Sequence, residues 1–158
     1  MVKAVFIQSS HSDYDDQPGK AYHFPKKHYL SRVEQTVGDW VIFYEGRRGG
    51  GKGYHSVQRV LQVQDDPKDP ALAYALLDTA SELSFENFVP RWVEGQGPYE
   101  TGLPRSRGSN TSAVRLISDA DFRAYCQRRS GGARRAECHS ANRRLHRRAR
   151  FCRGADRL

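Results

Sequence analysis

Residues 37–53 read VGDWVIFYEGRRGGGKG, and how they are read decides the fold. Gly38-Asp39 is a turn signal. Trp40, Val41, Ile42, Phe43 and Tyr44 follow, all β-branched or aromatic. Such side chains fit a pleated, partly buried surface, so a strand is expected here. Residues 45–53 then carry five glycines and three cations, Arg47, Arg48 and Lys52. A loop so poor in side chains lets its backbone come close to a partner. Residues 54–63 (YHSVQRVLQV) return as a second strand. The run at residues 49–52 lacks the Ser/Thr and the leading spacing of a phosphate-binding P-loop, so it reads as the connection between two strands.

Working outward, residues 2–8 (VKAVFIQ) and 113–117 (AVRLI) read as further strands, and residues 21–25 (AYHFP) as a short aromatic one closed by Pro25. Residues 83–93 read as broken strands with an edge at Pro90. Residues 71–77 (ALAYALL) fit a helix by composition and a strand if the sheet continues. Tyr29, Leu30 and Val33 share one helical face, which places a helix over residues 26–36. Ser118, with Asp121 three residues on, caps a second helix over residues 119–127. The loop at residues 94–110 is long and rich in Gly and Arg. Loops of that length are uncommon without a function.

The chain has 158 residues, 37% hydrophobic, with a mean hydropathy of −0.79. That is long enough for one domain with a core. No run of roughly 18 apolar residues exists to span a membrane, and the first residues turn acidic too soon for a secretory leader, so a cytoplasmic protein is expected. The net charge of +8 is unevenly spread. Residues 128–158 hold 11 Arg against Glu137 and Asp156, while residues 1–127 hold 15 basic and 16 acidic side chains. The basic character therefore belongs to the tail, and the body's cations must be judged by position. The division expected is a domain at 1–127 and an Arg-rich tail at 128–158 that is too poor in large apolar groups to fold alone. Cys126, Cys138 and Cys152 make no disulfide framework. Cys138, His139, His146 and Cys152 fit no closed zinc set, so neither a metal nor another cofactor is expected. No hydrolase motif stands out.

Tyr14-Asp15-Asp16 lies in a polar loop ahead of the turn at Pro18-Gly19. It reads either as a solvated acidic turn or as a pocket wall that stacks a planar ring and accepts hydrogen bonds from its amino group. Together with residues 38–46 (GDWVIFYEG) and the glycine-rich loop, it resembles the SRA (SET and RING associated) pattern. More widely, Tyr22-His23-Phe24-Pro25, the strand ending at Tyr44, and AVRLIS (113–118) with Asp121-Phe122 resemble the N-terminal PUA-superfamily (SRA- or EVE-like) domains of bacterial HNH endonucleases. Those enzymes cut DNA carrying modified bases.

The resemblance covers about residues 1–125. It implies an α+β fold, a PUA-like curved β-barrel with flanking helices, that flips a modified base of double-stranded DNA into an aromatic pocket. 5-Methylcytosine or 5-hydroxymethylcytosine is the first expectation; N6-methyladenine or a modified RNA base is the alternative. The residues expected in the pocket are Tyr14, Asp15, Asp16, Tyr22, Trp40, Tyr44 and Glu45, with Asp16 or Asp15 accepting from the amino group. Tyr44 is two strand periods from Trp40, so the two should share a face, and Trp40 reads equally as core. Lys26, Lys27, Arg47, Arg48, Lys52, Arg105 and Arg107 are expected at the DNA backbone, contacts that set register without reading sequence. Glu45 stands where SRA domains carry a small Thr or Ser, and no HNH motif follows Asp121-Phe122. The chain is therefore expected to bind rather than cut; a complete metal-dependent nuclease is the competing reading. A homodimer is compatible with the sequence.

Overall fold

A computed structural model of the chain describes residues 2–9, 12–46, 53–93, 95, 97, 98, 100 and 112–128. It is a mixed α+β structure. In chain order come β1 (Lys3–Gln8), β2 (Ala21–Pro25), α1 (Lys26–Glu34), β3 (Trp40–Glu45), β4 (Gly53–Asp65), β5 (Leu72–Leu77), a 3-10 turn (Thr79–Ser81), β6 (Leu83–Pro90), β7 (Trp92–Val93), β8 (Gly97–Pro98), β9 (Val114–Ile117) and α2 (Asp119–Arg128). Of the ambiguous residues 71–77, all but Ala71 are a strand, since β5 pairs with both β2 and β4. Tertiary pairing has overridden the helical preference of Ala and Leu.

Seven strands form one sheet in the order β2-β5-β4-β3-β1-β9, with β6 also on β4. β1 and β3 run parallel; β4 is antiparallel to β3, β5 and β6. β5 and β6 follow one another along β4, the first beside its C-terminal half and the second beside its N-terminal half. Alternation along the strands gives the sheet two apolar faces. Ala4, Phe6, Tyr22, Phe24, Val41, Phe43 and Val60 form one core, on which Tyr29, Leu30 and Val33 of α1 pack. Val5, Ile42, Tyr54, Val57, Phe85 and Val89 form the other, closed by Tyr125 and Phe122 of α2. Each helix thus covers one face. The Ser118 cap holds: the Asp121 amide donates to Ser118 Oγ at 3.1 Å.

The sheet curls but does not close, which corrects the expected barrel. Tyr22 of β2 stacks on Phe6 of β1 at 4.6 Å although three strands separate them in the sheet. The Tyr22 hydroxyl reaches the carbonyls of Ile7 and Ala113 at 3.2 and 3.4 Å. Closure would need a backbone ladder between the edge strands. Instead the free edge of β2 is occupied by its own loop: the His23 amide donates to Asp16 Oδ1 at 2.8 Å, and Gln17 bridges Ala21. Among the described residues no helix is long and apolar enough to cross a membrane.

Candidate functional site

The Tyr14-Asp15-Asp16 loop wraps the edge of β2 and divides its side chains between two environments. Tyr14 and Asp15 lie outside, around His23. The Asp15 amide donates to His23 Nδ1 at 2.9 Å, and the Tyr74 hydroxyl donates to Asp15 Oδ2 at 3.2 Å. His23 stacks on Tyr74 at 4.3 Å, meets the Tyr14 ring edge-on at 5.8 Å and contacts Asp66 through Nε2 at 3.0 Å. Because Nδ1 accepts, Nε2 carries the proton and donates to Asp66. The Lys68 amide, with the His23 imidazole, holds the Asp66 carboxyl below its usual value. Both His23 and Asp66 are buried. This cluster clamps the loop onto the sheet.

Asp16 turns the other way, toward Tyr22. Burial pushes its carboxyl up to about 6, more than the His23 amide lowers it. Oδ1 is held by that amide; among the described residues no side chain or backbone donor holds Oδ2. The neighbouring Tyr22 is 3% exposed and sandwiched in the core, so it forms a floor rather than a stacking wall. Its hydroxyl contact with Ile7 brings Asp16 to the C-terminal end of β1.

That end of the sheet carries the remaining polar groups. Gln8, the last residue of β1, pairs with Glu45, the last of β3, and both follow the alternation of Phe6 and Phe43 onto the α1 face. Opposite them β4 bulges. Phe43 pairs with Ser56 and Tyr44 with Tyr54, so His55 is the extra residue. His55 lies over Phe43 at 6.3 Å and against Phe88 of β6 at 5.8 Å. Its burial lowers its pKa, against the opposing pull of Glu45 and Glu82. Phe88 is 47% exposed. Gly53 makes room for it: a Cβ there would meet Val89 O at 2.8 Å and Phe88 Cβ at 3.0 Å. Gln8 and Glu45 thus lie paired at this end of the sheet, near a partly exposed aromatic pair, His55 and Phe88, and Asp16 approaches the same end through its neighbour Tyr22.

The expected residues are therefore brought together in part. Tyr22 and Glu45 share the α1 face, and Asp16 lies near Tyr22. Trp40 and Tyr44 do share a face with each other, but it is the opposite one, packed on the α2 core, with Tyr44 edge-on to Tyr54 at 5.0 Å. This corrects their place as walls for a ring held by Asp16: the sheet lies between. Lys26 is engaged by Asp65 at 2.7 Å, at the far end of β2, and Lys27 is exposed. Arg47, Arg48, Lys52, Arg105 and Arg107 lie outside the described residues, as do Cys138, His139, His146 and Cys152. Among the described residues no group of three His, Cys, Asp or Glu could hold a metal. Sequence reasoning missed His55 and Phe88. The signal was a histidine in an otherwise alternating strand directly after the glycine loop.

No family model matches the chain, and no curated protein matches it either.

Proposed function

We propose that this chain binds double-stranded DNA carrying a modified base, most simply 5-methylcytosine or 5-hydroxymethylcytosine, and holds that base outside the duplex at the Asp16 rim. The PUA-like, SRA/EVE-related character of the domain is part of the same proposal; the curl of the sheet and its two flanking helices support it. One observation carries the reading. Among the described residues, Asp16 is a largely buried carboxyl held at Oδ1 by one backbone donor, and this reading gives its second oxygen to a ligand. Burying a carboxylate costs stability unless something hydrogen-bonds it, and an exocyclic amino group is a fitting donor. An extruded base also loses its stacking, on the order of 1–3 kcal/mol, which a flat side chain must restore. His55 and Phe88 supply such surfaces. Nothing in this arrangement requires chemistry on the DNA, and the reading is of a binding module that serves a modification-dependent restriction system, with any HNH nuclease elsewhere.

The test is competition binding with duplexes of one sequence that carry a single 5-methylcytosine, 5-hydroxymethylcytosine, N6-methyladenine or no modification. Wild type is expected to prefer a modified cytosine. In Asp16→Asn, the His23 amide still holds the carbonyl oxygen, so the amide nitrogen faces the base's donor; affinity for the duplexes carrying a modified cytosine should fall by roughly 10-fold or more. Unchanged affinity for those duplexes would refute the reading.

A further inference from the structure

Gln8, at the end of β1, carries an unpaired donor. Its Nε2 is the one buried side-chain nitrogen or oxygen among the described residues with no hydrogen-bond partner. Folded proteins pair their buried polar groups, so a donor left over at the rim of a binding site marks where an acceptor arrives with the ligand. Gln8 ends β1, one residue beyond the Ile7 carbonyl that takes the Tyr22 hydroxyl and directly across from Glu45. Two carboxylates thus lie in this region, and neither Asp16 nor Glu45 takes the Gln8 proton.

We infer that Gln8 is a specificity-determining residue that donates to a ring nitrogen or carbonyl of the bound base, while Asp16 accepts from its amino group. The inference rests on the proposed function and narrows it. An acceptor and a donor at the same end of the sheet match an edge with an amino group next to a hydrogen-bond acceptor. Cytosine and its 5-substituted forms present that edge through the amino group, N3 and O2. Thymine has the same ring and the same methyl group as 5-methylcytosine but presents a carbonyl beside a ring N–H. Against it, Asp16 meets an acceptor and loses its donor. A site built to hydrogen-bond an edge rejects an analogue lacking it far more strongly than an apolar pocket rejects a methyl group. The site should therefore separate 5-methylcytosine from thymine, although the thymine of a G·T mismatch is easier to extrude than a paired base.

The experiment compares wild type, Gln8→Met and Asp16→Asn on three duplexes of one sequence: G·5-methylcytosine, G·cytosine and a G·T mismatch. It also records the thermal midpoint of each free protein. Wild type should favour 5-methylcytosine over the mismatch. Gln8→Met keeps the length and removes the amide, so it should weaken binding to 5-methylcytosine by roughly 10-fold. Its effect on the free protein should be the opposite of an ordinary lost hydrogen bond: the midpoint should hold or rise, because the donor removed had no partner. If Asp16→Asn loses the preference and Gln8→Met keeps it, Gln8 is not a reader and the inference fails while the proposed function stands. A clear fall in the midpoint of Gln8→Met likewise overturns it, by showing that the amide is satisfied in the free protein. If neither variant changes the ratio, or wild type has no preference, the proposed function falls and takes the inference with it.

Discussion

At the scale of single residues, Asp16 would tie stability to the proposed binding. Burial pushes its carboxyl up to about 6 in the folded chain, from the ordinary 3.8. The folded value is the higher one, so the folded chain binds the proton more tightly than the unfolded chain. The stability this group contributes is fully present below about pH 4 and is lost as pH rises through about 6. Asp16→Asn stays neutral throughout and its carbonyl can still accept from the His23 amide. It is expected to exceed wild type by about 1–2 kcal/mol at neutral pH, a figure discounted for the part of the carboxyl that faces solvent, and to match it near pH 4. Thermal or urea denaturation at the two pH values checks this; equal stability at neutral pH would count against a strained carboxylate. Binding should run the other way. The ionised form is the better acceptor, so the preference for a modified duplex should grow as pH rises from about 5 to 7.

At the scale of elements, one buried network ties β4, β9 and α2 to Glu100. The Tyr54 hydroxyl donates to Glu100 Oε1 at 2.5 Å, Arg115 donates to both Glu100 oxygens at 2.6 and 2.8 Å, and the Tyr125 hydroxyl donates to Tyr54 at 2.9 Å. Burial and the nearby Glu100 charge drive the Tyr54 hydroxyl's pKa well upward. Glu100→Ala strands the Arg115 guanidinium, itself mostly buried, and is expected to cost about 3–5 kcal/mol in urea denaturation. Lys26→Ala breaks a pair whose Asp65 is 77% exposed and should cost under about 1 kcal/mol. Gly53→Ala is a second test of element packing. Its Cβ has no room against Val89 and Phe88, so it should destabilise the β4–β6 pairing by roughly 1–3 kcal/mol and displace Phe88. Near-ultraviolet circular dichroism of the aromatic residues follows that displacement.

At the scale of the whole molecule, most of the net charge and the proposed reading site fall in different parts of the sequence. Residues 129–158 hold 10 Arg against two acids. Each cation that meets a phosphate releases counterions and steepens the dependence of affinity on salt. Deleting residues 129–158 should flatten that dependence and weaken modified and plain duplexes alike, leaving their ratio intact, because phosphate contacts carry no base information. Titrations at several salt concentrations test this; loss of the ratio would put the tail in the reading site. The curl of the sheet acts at the same scale. It carries β2, and with it Asp16, over the end of β1, which a flat sheet of this strand order would hold far apart.

Local patterns in the chain were enough for the elements: the aromatic run at Trp40–Glu45 as a strand, the apolar stripe of α1, and the Ser118 cap of α2. These depend on neighbours a few residues away, whose preferences act wherever the segment lies. The shared face of Trp40 and Tyr44 was legible for the same reason, since alternation is a property of the strand itself. Which face that would be was not legible. The choice between the α1 and α2 sides was made by which core each strand buried, a matter of long-range pairing that no local pattern encodes. Residues 72–77 became a strand only because β2 and β4 stood ready on either side. The bulge that turns His55 onto Phe43 arises from the register of three strands at once, and the meeting of Asp16 with the end of β1 arises from the curl. Sequence alone thus determined the pieces and the acidic loop; the tertiary structure decided which side chains could meet.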